Sequence, residues 1–411
     1  MSDAERQRLD LRTLLAAVEA APPVAAVDVL ARELATMLDA TAVSLLITNF
    51  SGDAVVRMAH VADTRKTREG RNERTESLPL AGSAHEEVLH SQELDVRQLS
   101  DGWQLLVPVT ERGDAIGILE LSLPHAPDED VLEYVESAAH ALAYVLIASR
   151  RHTDLFEWAQ RDMPFSLAAE IQRRLLPSAY TIEGGPFTVA GWLEPAAHVG
   201  GDTFDYAIDR EYLYASLTDA MGHSTTAAML ATLTVGSLRN TRRSIASPAE
   251  QAGAANRELL ESADADQFVT GLLLRIRLAD GTAEIVNAGH PPPFLLRQGR
   301  AAEMDLPSDP ALGVLDIQHR THRIGLEPGD RLLLVTDGFL ERNAARVDIP
   351  ATLQQHAQRH PREIVRELAK NVLAATAGRL RDDATVLCID WHGPGESRDA
   401  TAGATRTRAT T

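Results

Sequence analysis

Aspartates at four places in the second half of this chain stand at the ends of short apolar runs beside glycine or alanine, and they constrain the fold more than any other feature. Asp202 closes Val199-Gly200-Gly201-Asp202. Asp219 follows the run Leu213 to Thr218 and precedes Ala220-Met221-Gly222-His223. Asp337 follows Leu332 to Thr336 and precedes Gly338. Asp382 and Asp383 lie between Arg381 and the run Ala384 to Asp390. A carboxylate at the exposed end of a hydrophobic strand is held rigidly, yet its oxygens can face a cavity. Several drawn together from distant parts of a chain repel one another unless cations lie between them. Oxygen-only ligation of that kind suits Mg²⁺ or Mn²⁺, with waters completing the shell. A single Asp before Gly is more often a turn residue. It is the set that points to a metal centre.

The runs carrying these aspartates read as strands. The pattern predicts strands over Phe187–Leu193, Tyr212–Thr218, Phe268–Leu278, Thr282–Val286, Arg331–Thr336 and Ala384–Trp391, with Asp280-Gly281 as a hairpin turn. Helices are expected at Thr225–Arg239, Pro248–Ser262 and Arg362–Thr376. Antiparallel strands with helices grouped between them make the class α+β, a sheet sandwich flanked by helices. Asn287-Ala288-Gly289-His290-Pro291-Pro292-Pro293 combines a tight turn with an extended exit. His290 and Asn287 either line the site or hold neighbouring backbone groups in place.

At 411 residues the chain is too long for one ordinary core. Before Pro177 the pattern changes. Val27, Leu30, Leu34, Met37 and Leu38 recur at helical spacing. Strands are expected at Ala42–Phe50, Ala54–Val61, Trp103–Thr110 and Ala115–Leu123, with a short helix near Ser83–His90. The charged stretch Thr64–Glu76 reads as a solvated loop. An apolar stripe runs from Val131 through Val135, Ala138, Leu142 and Leu146, and the helical pattern continues to about Gln160 before breaking near Pro164. Such a stripe between two domains is either packing within the fold or a parallel dimer seam that carries a signal. A second helical piece runs from Phe165 to Leu176. The expected division is 1–148, a helical linker 149–180, a second domain 181–392, and a disordered Thr-, Ala-, Gly- and Arg-rich tail 393–411.

The second half resembles the bacterial branch of the PPM metal-dependent protein phosphatases, the SpoIIE and sigma-regulator type. The resemblance rests on EIQRRLLP, VGGDTFDY, TDAMGHSTTAAML, FVTGLLL, VNAGHPPPFLL, PALGVL, LLLVTDGFLE and RDDATVL, in that order from Glu170 to Ile389. It implies a two-layer β-sandwich with outer helices, a centre of two Mn²⁺ or Mg²⁺ ions, and dephosphorylation of phosphoserine or phosphothreonine on a protein. Carried over by position, Asp219 touches both metals and the Ala220 carbonyl one of them. Asp337 and Asp382 hold the other metal, and Asp202 binds a metal or positions its water; Asp202 and Asp219 carry the catalytic role. Asp383 is expected as a hydrogen-bonding neighbour. His223 lies four residues after Asp219, so a general-acid role does not transfer to it safely. Ser224 stands where many relatives have Gly, and is expected to cap the helix that follows.

The first half resembles a GAF domain, an α/β sensory module, over Leu11 to Ala148 and by element order alone. A fold of this kind holds a small ligand or serves only to dimerise and transmit strain. The resemblances together imply a STAS-domain anti-anti-sigma protein as substrate, control by the N-terminal module, and a homodimer. Coupling is expected around Gln172 to Leu176, where polar replacement of Leu175 and Leu176 should alter activity while leaving folding largely intact. The alternative is a catalytically inactive phosphatase fold that presents a binding surface.

Several classes are excluded. The formal charge of −19 argues against nucleic acid as the main partner. No stretch approaches 18 uninterrupted apolar residues, so no membrane partner is expected. An N-terminus without an apolar signal core and a single cysteine, Cys388, suit a reducing cytoplasm. Neither a Gly-x-Ser-x-Gly elbow nor a Walker loop is present.

Overall fold

The computed structural model describes residues 10–50, 52–62, 76–161, 166–195, 200–222, 224–244, 246–264, 266–340, 347–376, 380 and 382–396. The chain divides into two compact units between residues 164 and 165, inside the stretch 149–180 read from sequence as a linker. The charged stretch from 64 to 75, His223 and the tail from 397 onward lie outside the described residues, as does the Ser224 side chain.

The first unit is built on one antiparallel sheet in the order β3-β2-β1-β6-β5-β4. Its strands are β1 (Ala42–Thr48), β2 (Ala54–Ala62), β3 (Ser77–Pro79), β4 (Asp95–Leu99), β5 (Gly102–Glu111) and β6 (Asp114–Leu123). Strand alternation explains the two cores on its faces. Val43, Leu45 and Ile47 of β1 point to the larger core, where α1 (Leu11–Ala20), α2 (Ala26–Leu38) and α4 (Glu129–Ser149) lie. Leu46 points the other way, to α3 (Ala84–Ser91), whose N-cap Ser83 accepts from the Glu86 amide. The four expected strands and the helix near Ser83 are present; α1 and the short edge strands β3 and β4 are additional.

Helix α4 corrects one expectation. It ends at Ser149 instead of continuing to about Gln160, and a separate short helix, α5 (Leu155–Ala159), buries Phe156 in the same core. Thr153 accepts from the Leu155 amide at this restart. The stripe open to either packing or a dimer seam is spent within the unit: Val135, Ala138, Leu142 and Leu146 are all fully buried in its core. By length and composition alone α4 is also long and apolar enough to cross a membrane, the one such helix among the described residues. Its buried face places it as a core helix.

The second unit stacks four layers. A five-stranded sheet, β15-β12-β11-β10-β9, faces a six-stranded one, β14-β13-β16-β17-β8-β7. The first contains β9 (Thr203–Ile208), β10 (Tyr212–Ala220), β11 (Val269–Arg277), β12 (Thr282–Ala288) and β15 (His322–Gly325). The second contains β7 (Thr181–Glu183), β8 (Phe187–Glu194), β13 (Phe294–Arg297), β14 (Arg300–Glu303), β16 (Arg331–Val335) and β17 (Ala384–Trp391). Between them Leu217, Leu274, Leu334 and Leu387 close the central core. Outside the first sheet lie α7 (Ser224–Arg242) and α8 (Pro248–Ser262); outside the second lie α9 (Ile349–Gln355) and α10 (Pro361–Thr376). Helix α6 (Leu167–Leu175) opens the unit.

Burial on both faces explains the unbroken apolar runs. All five residues of β16 are buried, and each fully buried leucine stabilises the fold by roughly 1.5–3 kcal/mol. Cys388 of β17 faces the α10 side and is fully buried. Helix α8 starts where its sequence says: Ser247 and Glu250 form a capping box, with Pro248 in the first turn. The β11–β12 connection is wider than the expected two-residue turn, with the Gly281 amide donating to the Arg277 carbonyl oxygen.

Candidate metal centre

The pairing register brings the aspartates to one end of the sandwich. Thr203 pairs with Thr218, so Asp202 at the start of β9 adjoins Asp219 near the end of β10. Val335 pairs with Val386, so Asp337 after β16 adjoins Asp382 and Asp383 before β17. The two sheets are tied across the gap by Asp202, which is 2% exposed. Its Oδ2 accepts from the Thr336 hydroxyl at 2.8 Å and the Thr385 hydroxyl at 2.6 Å. The Thr385 amide in turn donates to Thr336 Oγ1.

Close approach needs glycine at two positions. A Cβ on Gly201 would sit 2.3 Å from the Ala220 carbonyl oxygen, and one on Gly338 would sit 2.1 Å from the Asp383 carbonyl oxygen. Asp383 is buried and accepts at Oδ2 from Gln172 Nε2 at 2.6 Å and from the Gly200 amide at 3.1 Å. Its own amide donates to Asp382 Oδ1 at 2.9 Å. It is thus a hydrogen-bonding neighbour of Asp382, the part expected from sequence.

The electrostatics are those of crowded like charges. Burial, then Asp219 and Asp383, push the Asp202 carboxyl well above the usual range, although two threonine hydroxyls favour its charged form. Asp219 is pushed up to about 7 by burial, then by Asp337, Asp382 and Asp383, against a hydrogen bond to Asp202. Asp337, the exposed member, is raised by lost hydration and then by Asp382. After burial, the influences on these three are other carboxylates, hydroxyls and backbone amides, with no Lys or Arg among them. An oxygen-only set in which burial and mutual repulsion disfavour the charged carboxylates is chemically matched to a hard divalent cation, which supplies the missing positive charge. Among the described residues, no three His, Cys, Asp or Glu side chains stand close enough to close on one ion.

Sequence reasoning named Asp202, Asp219, Ala220, Asp337 and Asp382, and the fold gathers all five at this end. It missed Thr385. Thr385 lies inside an apolar strand and gave no signal of its own. His290 and Asn287 hold backbone instead of bonding to any of the aspartates: Asn287 Oδ1 accepts from the His290 amide at 2.9 Å, and the imidazole bonds to Thr270 and the Val335 carbonyl.

Residues 209–392 match the sequence model of the Stage II sporulation protein E (SpoIIE) family. The matched stretch lies wholly within the second unit. The chain is 23% identical over 237 residues to the phosphoserine phosphatase RsbP of Bacillus subtilis (strain 168), covering 54% of this chain and 57% of that protein. Among solved structures, the RsbU and RsbW domains of Rv1364c from Mycobacterium tuberculosis align with a TM-score of 0.48 and 22% identity, over 52% of this chain and 63% of that one. The catalytic domain of the serine/threonine phosphatase PstP, in complex with 2 manganese ions, aligns with a TM-score of 0.40 and 18% identity, over 50% of this chain and 97% of that one. This chain spans less than two thirds of the length of RsbP and of the Rv1364c chain.

Proposed function

We propose that the second unit is a metal-dependent phosphatase acting on phosphoserine or phosphothreonine in a protein, with two Mn²⁺ or Mg²⁺ ions held by Asp202, Asp219, the Ala220 carbonyl, Asp337 and Asp382. The observation carrying this reading is the convergence of carboxylates from four strand ends, with the acidities of Asp202, Asp219 and Asp337 suppressed. When bound, the ions neutralise phosphate oxygens and lower the pKa of an attacking water. The chain's own residues do the positioning. Thr336 and Thr385 fix Asp202, Gly201 admits the Ala220 carbonyl, and Asp383 braces Asp382. RsbP is named a phosphoserine phosphatase, which agrees with this substrate class.

The finer reading is a STAS-domain substrate in a sigma-factor regulatory system, in the cytoplasm, with the first unit acting as a GAF-like regulator. Support for control comes from α6, where Gln172 Nε2 donates to the Asp202 carbonyl oxygen at 2.9 Å as well as to Asp383. The route through Leu175 and Leu176 needs correction. Leu176 belongs to the sandwich core and Leu175 packs on the α7–α8 side, so polar residues there would damage the fold itself.

The purified chain should hydrolyse a generic aryl phosphate with Mn²⁺, stop when a chelator is added, and lose the activity in Asp219→Asn. Equal activity in wild type and Asp219→Asn would sink the assignment. The open spacing of the carboxylates favours a second reading, an inactive phosphatase fold used for binding; absence of both Mn²⁺ binding and hydrolysis in the wild type would select it.

A further inference from the structure

His290 lies just beyond β12, is 3% exposed, and reaches both sheets. Its Nε2 is 3.2 Å from the Val335 carbonyl oxygen of β16, and its Nδ1 is 2.9 Å from Thr270 Oγ1 of β11. A carbonyl only accepts, so Nε2 carries the proton and Nδ1 accepts from the threonine hydroxyl. Burial holds the ring neutral, with its pKa lowered to about 4.

The two partners are the immediate neighbours of the site's carboxylates. Thr270 is the cross-strand partner of Asp219. Val335 is two residues before Asp337, and the intervening Thr336 holds Asp202. One imidazole therefore spans from the strand pair carrying Asp219 to the strand leading into Asp337, alongside the tie made by Asp202 itself. Its reach is fixed by a rigid ring, and its backbone is fixed by the Asn287 bond to its amide.

We propose that His290 is a positioning residue that sets the separation of Asp219 and Asp337 across the sandwich, and so sets affinity for the divalent ions. The proposal rests on the metal-dependent reading above. Groups bonded directly to a metal's ligands are worth about 10–100-fold in metal affinity, and His290, acting one contact further out, is expected at the lower end of that range.

The test compares Mn²⁺ dissociation constants, by calorimetry, for the full chain and for His290→Ala, His290→Gln and Thr270→Val. His290→Ala should weaken binding about tenfold, while kcat at saturating Mn²⁺ stays near wild type. Gln can still donate to the Val335 carbonyl, so His290→Gln should recover much of the loss. Thr270→Val keeps that bond, removes the other, and should weaken binding even if His290→Ala does not fold. Folded variants that bind Mn²⁺ within twofold of wild type would overturn the proposal. Amide exchange in chelator gives an arm independent of metal. Loss of the strut should speed exchange at Ala220 and Thr336 relative to mid-strand Leu217 and Leu333. A wild type that binds no Mn²⁺ would defeat the phosphatase reading, and this exchange contrast would then decide the strut alone; no contrast would overturn it.

Discussion

Asp219 shows how one side chain links acidity to stability. Its carboxyl holds a proton to about 7 in the folded chain, against 3.8 as the unperturbed value. The folded state therefore binds the extra proton between those values. The stabilising contribution is complete below about 3.8 and is lost as pH rises through about 7, at roughly 1.4 kcal/mol per pH unit for one group. In chelator, urea unfolding of the second unit should show stability falling across this window, and Mn²⁺ should reverse the fall. Asp219→Asn should flatten the profile; superimposable profiles would show that this carboxyl titrates normally. The four candidate carboxylates were legible in the sequence because each ends an apolar run beside a small residue. Thr336, Thr385 and Gln172 were not legible as partners. A hydroxyl within a strand, or an amide on a helix, carries no periodic signal, and its role depends on what folds against it.

At the scale of elements, helix α6 connects sequence to site most directly. Ser166 caps it and Glu170 pairs with Arg174 at 2.9 Å, so it begins as an ordinary surface helix. One turn later Gln172 is 3% exposed and bonded to Asp202 and Asp383. The last carbonyl, that of Leu175, accepts from Arg239, whose guanidinium also pairs with Asp205 of β9. Replacing Gln172 with Leu keeps the size of the side chain and deletes both amide bonds. Calorimetry should then show Mn²⁺ affinity reduced about tenfold, with α6 helicity unchanged by circular dichroism. Unaltered affinity would remove α6 from the regulatory account. Elements with sustained burial, such as β10, β16, β17 and α8, were visible in the sequence to within a residue or two. β3, β7, β13, β14 and β15 were not, because three or four residues are too few to establish a period of two. β9 was hidden for another reason: its start coincides with the glycine-rich approach to Asp202.

For the whole molecule, the decisive feature is that each unit owns its cores. The first closes over one sheet and the second between two, with the division at residues 164 and 165. Calorimetric unfolding should therefore resolve two transitions. Mn²⁺ at a hundred times its dissociation constant should stabilise one by about 2.7 kcal/mol and leave the other in place. A single transition shifted as a whole would show that the units unfold together. The sequence indicated two domains through chain length and a change from mixed to strand-rich patterning. It left the α4 stripe open between packing and a dimer seam, since apolar spacing reports that a face is covered and not by what; the fold uses that face for packing.

Cys388 has a practical consequence. The chain's single thiol is sealed inside β17, and burial keeps it protonated, so maleimide reagents should find nothing to modify on the native protein. A cysteine engineered at an exposed position such as Leu167 would then take a fluorescent label alone, without first removing a native one.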